Sequence, residues 1–537
     1  MRCLPLVLLA ATAATPVSGA VQAPCNVQAV QPASPQPDDR FGSAVAGDGG
    51  TWVVGAPGRL DTGQAFVHEV GVGGVQQTAL LWPSDLAALD GFGTAVAVDG
   101  DVIAVGCPGD DDGVFGAGSV YVFERFLGVW VQTAKLQASA PAAAASFGSA
   151  VDVSGDWLAV GAPFDAGASS FGGRVVLFEN SGGTWVHRQD LVGPATLGRL
   201  GTAVDLDGGR LAIGAPGEAA GRVHVAERFG SVWVETAVLA PTGASPAAEL
   251  GSDVALEGDR LLAGARSDAT AAPGAGAAYV FGQVAGAWVQ LQRLEVASPS
   301  AGDRFGDRVD LDGGRALVGA PGEDGSAPNA GCVHAFGPTG QTTTGGFPVL
   351  TEQAAFGSLG ARSGASFGAA LALDGPFLWA GAPGEDAPDA DAGRVHGFSF
   401  EVAVCSPLVV GPLEVSAAAP GTLELALQVD PILAGQPYFL LGSSAGTSPG
   451  LAVGGMALPL NLPDGGYGDL LLASAGLAGR AATVGWLDAT GAGTATIDLA
   501  TLGATLVPGT TLDHAFFVFQ GGLALYVSPP ASVQVLP

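Results

Sequence analysis

Few side chains in this 537-residue chain have a type and spacing suited to chemistry. Of six histidines, His224, His334 and His396 occupy one column of a recurring pattern, shared with Phe66, Tyr121, Val176 and Tyr279. A column that accepts Phe, Tyr and His is a packing position, and members in separate units cannot converge on one metal. His68, His187 and His514 stand apart, with no H-E-x-x-H spacing. No G-x-S-x-G elbow with a partner set and no Walker loop occurs. A non-enzymatic protein is therefore expected, with no cofactor.

The carboxylates are the one concentration of reactive groups. They gather in loops: Asp110, Asp111 and Asp112; Asp165; Glu218; Asp268; Glu323 and Asp324; Glu385, Asp386, Asp389 and Asp391. Two readings stand side by side. One is solvation of an apolar protein. The other is a face for a divalent ion or a cationic ligand, with calcium held weakly at the surface. Asp110-Asp111-Asp112, between Gly109 and Gly113, is the densest group. Glu323, Asp324, Glu385 and Asp386 are the further candidates.

These loops belong to a repeating unit. Its first dipeptide recurs as Phe41-Gly42, Phe92-Gly93, Phe147-Gly148, Leu200-Gly201, Leu250-Gly251, Phe305-Gly306 and Phe367-Gly368, spaced 50 to 62 residues apart. A Gly-Ala-Pro element follows, as in Gly55-Ala56-Pro57 and Gly319-Ala320-Pro321, with Cys107 and Arg266 as local departures. Each unit holds four strand-like runs with turn pairs such as Asp99-Gly100 and Asp207-Gly208. Four strands in each of seven units predict an all-β, seven-bladed β-propeller, in which radial repetition protects the strand edges. Equivalent loops then emerge on one face, giving an acidic rim that also includes Asp38, Asp39 and Asp303. Asp253 and Arg308 replace Ala in one column of the innermost strand, and a contact between them is expected.

The FG and GAP elements and the closing Val120-Tyr121-Val122-Phe123 strand resemble the FG-GAP repeats of integrin α-chains and their bacterial relatives, over roughly residues 38 to 400. The resemblance implies that the loop face is the ligand-facing one. Many members carry a D-x-D-x-D-G calcium loop between the first two strands of a blade. Here that connection is a short turn such as Asp207-Gly208-Gly209, too short to supply six or more oxygens, so those calcium sites are not carried over.

A ring must join its last blade to its first. Asn26 to Val30 resembles the fourth strands elsewhere, such as Trp130-Val131-Gln132, and is expected to complete blade seven. Cys25 then starts that strand and Cys405 follows its neighbour, which predicts a Cys25–Cys405 disulfide. Cys107 and Cys332 read as small buried residues.

Arg2, the apolar run Leu4 to Ala14 and Ser18-Gly19-Ala20 read as a signal peptide over residues 1–20. The propeller is assigned to residues 21–405. Residues 406–537, with short β-rich runs punctuated by Pro and Gly, suit a small β-sandwich-like domain. The formal net charge of −30 opposes binding to nucleic acid and to anionic membranes, and no apolar run is long enough for membrane insertion. The expectation is a secreted or cell-surface binding, adhesion or scaffold protein whose partner is an extracellular protein or glycan. An extracellular glycan-active enzyme or accessory, which would need inward-pointing acids, and a structural surface or matrix component are the alternatives.

Overall fold

In the computed structural model, the described residues are 25–400 except 33, 72–73, 167–168, 326, 344, 359–361 and 386–390, together with the backbone of strands beyond 400. The expected leader, Asp386, Asp389 and Cys405 lie outside them, as does the side chain of Cys25. The chain divides into two compact units, one of Met1–Glu69 and Val75–Phe400, the other of Val70–Gly74 and Glu401–Pro537.

The first unit is a seven-bladed propeller of four-stranded antiparallel sheets. Blade three is representative, with strands Ala150–Ser154, Trp157–Ala162, Arg174–Asn180 and Trp185–Val192 from the centre outward. Its first strand alternates in burial, because one face lines the central channel. Its second strand is buried at every residue, because a neighbouring blade covers each face of the sheet. The outer pairing carries a bulge at Leu177/Phe178, repeated at Val122/Phe123, Val225/Ala226, Val280/Phe281 and Ala335/Phe336. A bulge raises the local twist of the edge strand and limits its pairing with other chains.

The two motif elements have a single physical cause. Gly93 sits at φ +90°, and a Cβ there would lie 2.6 Å from the Gln64 carbonyl oxygen. Gly55, in the GAP element of blade one, faces the Gly93 carbonyl so closely that a Cβ would lie 1.9 Å from its oxygen. FG of one blade therefore presses on GAP of the blade before. The preceding Phe is fully buried at Phe41, Phe92, Phe147, Phe305 and Phe367. It packs edge-on against the third strand of its own blade, as in Phe92–Tyr121 at 5.5 Å and Phe305–His334 at 5.3 Å.

The ring is closed in two ways. Cys25–Val30 pairs antiparallel with Arg394–Ser399, so the N-terminal strand is the outermost of blade seven. At the other level, the hairpin turns form a circular clasp. Each turn's acceptor takes a hydrogen bond from a turn glycine amide in the next blade. The series runs Gly100 N–H to Asp48 (2.7 Å), Gly155 to Asp99 (2.6 Å), Gly208 to Ser154 (3.3 Å), Gly258 to Asp207 (2.5 Å), Gly314 to Glu257 (3.4 Å), Gly375 to Asp312 (2.8 Å) and Gly50 to Asp374 (2.9 Å). The Asp-Gly turns are thus hairpin turns and inter-blade links at once.

The second unit contains antiparallel strands only among its described residues. Val415–Ala419, Thr422–Gln428 and Ala492–Asp498 form one sheet. Pro437–Ser443, Val484–Trp486, Thr511–Gln520, Leu523–Val527 and Ala531–Gln534 form another. No helix among the described residues is long and apolar enough to cross a membrane.

Candidate functional site

The loop face is built from the connection between the second and third strands of each blade and the loop leading into the next FG element. The first group to place there is the acid that follows GAP. Asp110, Asp165, Asp268, Glu323 and Glu385 are buried rather than displayed. Each is held by its own third strand. Ser119 donates to Asp110 at 2.5 Å and Tyr121 at 3.2 Å. Tyr279 donates to Asp268 at 2.7 Å. His396 Nε2 lies 2.8 Å from Glu385, which also accepts from Arg394 and Ser358. His334 lies between Glu323 at 2.8 Å and Glu352 at 3.0 Å. The column of Tyr and His is therefore more than packing. It wants an apolar body against the FG phenylalanine and a polar tip for a buried acid.

These pairings decide the charge states. Burial disfavours the His334 imidazolium, but the hydrogen bonds to Glu323 and Glu352 outweigh it and hold its pKa above the ordinary value. Glu323, Cys332 and His334 converge closely enough for a metal, as do Asp90, Cys107 and Asp110. Cys332 is disulfide-bonded, rather than the small unpaired residue expected from the sequence, so it has no thiolate to offer a metal, which weighs against the first group. In the second, the Cys107 thiol is pushed far up by burial and by Asp110 and Asp90, away from the thiolate a metal needs.

The densest acidic triplet already holds a cation. Lys135, the only lysine of the chain, reaches in from the outermost strand of blade two. Its Nζ lies 2.8 Å from Asp110, 2.5 Å from Asp112 and 3.0 Å from Asp85. Burial works against ionisation of Asp110, but hydrogen bonds from Lys135 and Ser119 prevail and hold its pKa below the usual range. Of the three, Asp111 and Asp112 are exposed. Asp324 accepts from the Asn329 amide at 2.9 Å. The acidic rim expected from the sequence is thus split: Asp39, Asp110, Asp165, Asp268, Asp303, Glu323 and Glu385 form an internal scaffold, while Asp38, Asp111, Asp112, Asp324 and Asp391, with Asp61 and Asp85, stay exposed.

Beside these carboxylates the face displays apolar side chains. Leu60 (57 % exposed), Leu89 (84 %), Phe115 (77 %), Phe164 (43 %), Phe171 (48 %) and Leu197 (58 %) all lie on loops of blades one to four. The Leu89 amide donates to the Asp61 carbonyl at 2.7 Å, and the Leu197 amide to the Ser170 carbonyl at 2.9 Å, so the two loops meet at each blade seam. Phe164, Phe171 and Leu197, with Arg199 and Gly217, line a shallow pocket of about 490 Å³. Leu60, Leu89, Phe171 and Leu197 have left-handed backbones, with φ of 54°, 71°, 52° and 61°. That conformation costs a bulky L-residue roughly 1 kcal/mol or more each.

A second group was not legible as a site. Asp152, Asp205, Asp253 and Asp310 point into the central channel, whose cavity has a volume of about 410 Å³. Each accepts from the next blade's innermost strand: Leu206 N–H to Asp152 at 2.6 Å, Leu256 to Asp205, Val309 to Asp253 at 2.8 Å and Leu373 to Asp310 at 2.6 Å. Burial raises Asp152 and Asp310 to about 7 and Asp253 to about 6. Asp205 is raised well above the ordinary value by burial and by Asp152, with which it shares a hydrogen bond. The expected Asp253–Arg308 contact is replaced. Arg308 donates to the Asp307 carbonyl at 2.8 Å, and Asp253 feels it only through space. The signal for the row was the period-2 alternation of the inner strand, in which Asp152, Asp205 and Asp310 fall at one column.

Four stretches of the chain, 75–123, 130–178, 233–281 and 288–336, match the FG-GAP repeat. Each match begins in the fourth strand of one blade and ends in the third strand of the next, so the sequence repeat straddles a seam. No curated protein matches the chain. Among solved structures, a provisional 6-phosphogluconolactonase of Bacteroides uniformis is 14 % identical, with a TM-score of 0.41 over 58 % of this chain and 83 % of that one. A Lactobacillus plantarum protein is 15 % identical, with a TM-score of 0.42 over 61 % and 87 %. A provisional 6-phosphogluconolactonase of Bacteroides fragilis is 12 % identical, with a TM-score of 0.40 over 58 % and 82 %.

Proposed function

We propose that this chain, an FG-GAP repeat protein built on a seven-bladed propeller, is an exported, non-enzymatic binding or scaffold protein that engages an extracellular partner through its loop face. The observation that carries the reading is the set of exposed apolar side chains on blades one to four of that face. Contiguous exposed apolar surface is costly to a soluble protein and marks interaction sites. Binding by the purified mature chain to arrays of glycans and extracellular proteins tests it. The expected result is a ligand whose capture is lost in a Phe171→Asn/Leu197→Asn variant. Capture that ignores that variant would place the site elsewhere.

The channel acids favour one second reading, an extracellular glycan-active enzyme or accessory. Asp152 and Asp205 are hydrogen-bonded carboxyls with raised pKa values, the environment in which one carboxyl stays protonated at neutral pH. Turnover in a glycoside-hydrolase screen, abolished by Asp205→Asn, would displace the first reading.

A further inference from the structure

Resting on the reading of the loop face as a binding surface, we infer that its occupant is a basic polypeptide segment carrying apolar anchors. The case begins with a comparison among the chain's own repeats. The residue two before the glycine that leads each third strand is Asp61, Gly116, Phe171, Ala219, Gly274, Asn329 and Asp391 in blades one to seven. All seven are left-handed. Five of the seven are Gly, Asn or Asp, which adopt that backbone at lower cost, and Ala219 is small. Only blade three places a large apolar side chain there. Three residues before the FG element, Asp38, Ala144, Gly302 and Gly364 are left-handed too, and Leu89 and Leu197 take the same conformation. The backbone of this face therefore asks for small or polar residues. At Leu89, Phe171 and Leu197 the chain supplies large apolar ones and leaves them in solvent. Strain with exposure also occurs singly at Leu127 in the opposite hairpins, so it is the clustering of Leu60, Leu89, Phe171 and Leu197 on one face, beside a pocket, that points to a partner.

Charge identifies the partner's chemistry. The apolar seams of blades one and two are flanked by exposed Asp61 and Asp111, and by Asp85 and Asp112, which share Lys135. The bases near the seams are engaged: Arg59 with Asp39, Lys135 with Asp85, Asp110 and Asp112, Arg174 with Asp165 and Asp190, and Arg199 with Glu249. The surface offers apolar cups and carboxylates, with these four bases already paired. The net charge of −30 repels a second copy of this chain, nucleic acid and an anionic membrane alike. A cationic amphipathic segment satisfies both features, with apolar anchors in the Phe164–Phe171–Leu197 pocket and at Leu60–Leu89 and cations on the flanking acids.

The test uses the mature full-length chain and a fluorescent 14-residue peptide of Leu and Lys at amphipathic helical spacing, read by anisotropy. Its twin carries Glu in place of every Lys. The Lys peptide is expected to bind, and the Glu peptide at least tenfold more weakly. Phe171→Asn/Leu197→Asn should weaken binding at least tenfold without lowering the melting temperature, since Asn tolerates the left-handed backbone. Asp61→Asn/Asp111→Asn should weaken it about threefold at low salt and flatten the salt dependence. Leu127→Asn is the matched control. Leu127 is 105 % exposed and left-handed (φ 50°), but it lies in the hairpin between third and fourth strands, at the opposite end of the blade. It should leave binding unchanged. If the double variant melts lower, Leu60→Asn/Leu89→Asn at the neighbouring seam supplies the same readout. No binding of the Lys peptide, equal binding of its Glu twin, or indifference to the apolar variants overturns the inference. If the arrays still yield a ligand lost in Phe171→Asn/Leu197→Asn, the face is a binding site for another chemistry. If they yield none, the broader reading falls as well.

Discussion

Asp374, at the end of the innermost strand of blade seven, accepts a hydrogen bond from the Gly50 amide of blade one at 2.9 Å. The residues are 324 apart in sequence. Their bond completes a clasp whose other six links join consecutive blades. Asp374→Ala should remove about 1 kcal/mol of stability, the usual worth of such a bond. The converse substitution is more telling. Ser154 is the one neutral acceptor in the ring, at 3.3 Å from Gly208. Ser154→Asp should make that link charge-assisted and raise the melting temperature, while an unchanged or lower melt would show that the clasp does not bear on stability.

The channel aspartates set an unusual pH dependence. In the folded state Asp152 and Asp310 have a pKa of about 7 and Asp253 about 6, against ordinary unfolded values near 4. The folded protein therefore holds protons that the unfolded chain has released. Stability should fall as pH rises from about 4 to 7. His334, whose folded pKa is raised above its ordinary 6.5, extends the decline with the same sign above that pH. Urea midpoints between pH 5 and 8 should decline for the wild type and decline less for Asp310→Asn. A midpoint that rises over this window would contradict the burial of these groups.

Lys135 is the counter-ion of three carboxylates, one of them buried. Lys135→Met should cost about 3 kcal/mol, because removing one partner leaves uncompensated charge behind. Millimolar calcium should then recover part of the loss, since Asp85, Asp110 and Asp112 become free to take a cation. The wild type should show no such response. Thermal melts with and without calcium separate the two cases.

Gly55→Ala should destabilise by about 4 kcal/mol or prevent folding, since its Cβ would meet the Gly93 carbonyl at 1.9 Å. Gly49→Ala lacks any such clash and faces only the cost of φ +55°. Denaturant midpoints of the two variants compare steric collision with backbone preference.

The proposed Cys25–Cys405 disulfide would reinforce closure by the N-terminal strand and is worth roughly 4 kcal/mol on loop-entropy grounds. Peptide mapping without reductant should recover the linked pair from exported protein. Free thiols at both positions would remove the pin and leave closure to strand pairing and the clasp.

The sequence alone determined the architecture, because what specifies a blade is local. Turn pairs such as Asp99-Gly100 and the period-2 runs between them lie within about 50 residues, and self-similarity multiplied that signal sevenfold. Even closure by Asn26 to Val30 was legible, as a fourth strand lacking its blade. What the tertiary structure decided concerns pairs across seams and between strands, where sequence distance says nothing about approach. Lys135 is 23 residues from Asp112 and 50 from Asp85, yet it touches both. Asp110 reads as a surface acid until the third strand brings Ser119 and Tyr121 over it. Asp152 and Asp205 read as strand alternation until the ring turns their column inward, where burial raises their pKa values. The acidic rim inferred from the loops became a mixed face of apolar side chains and fewer acids, because a loop carboxylate with a buried donor within reach turns in to meet it, while Leu89, Phe171 and Leu197 have no such partner and stay in solvent.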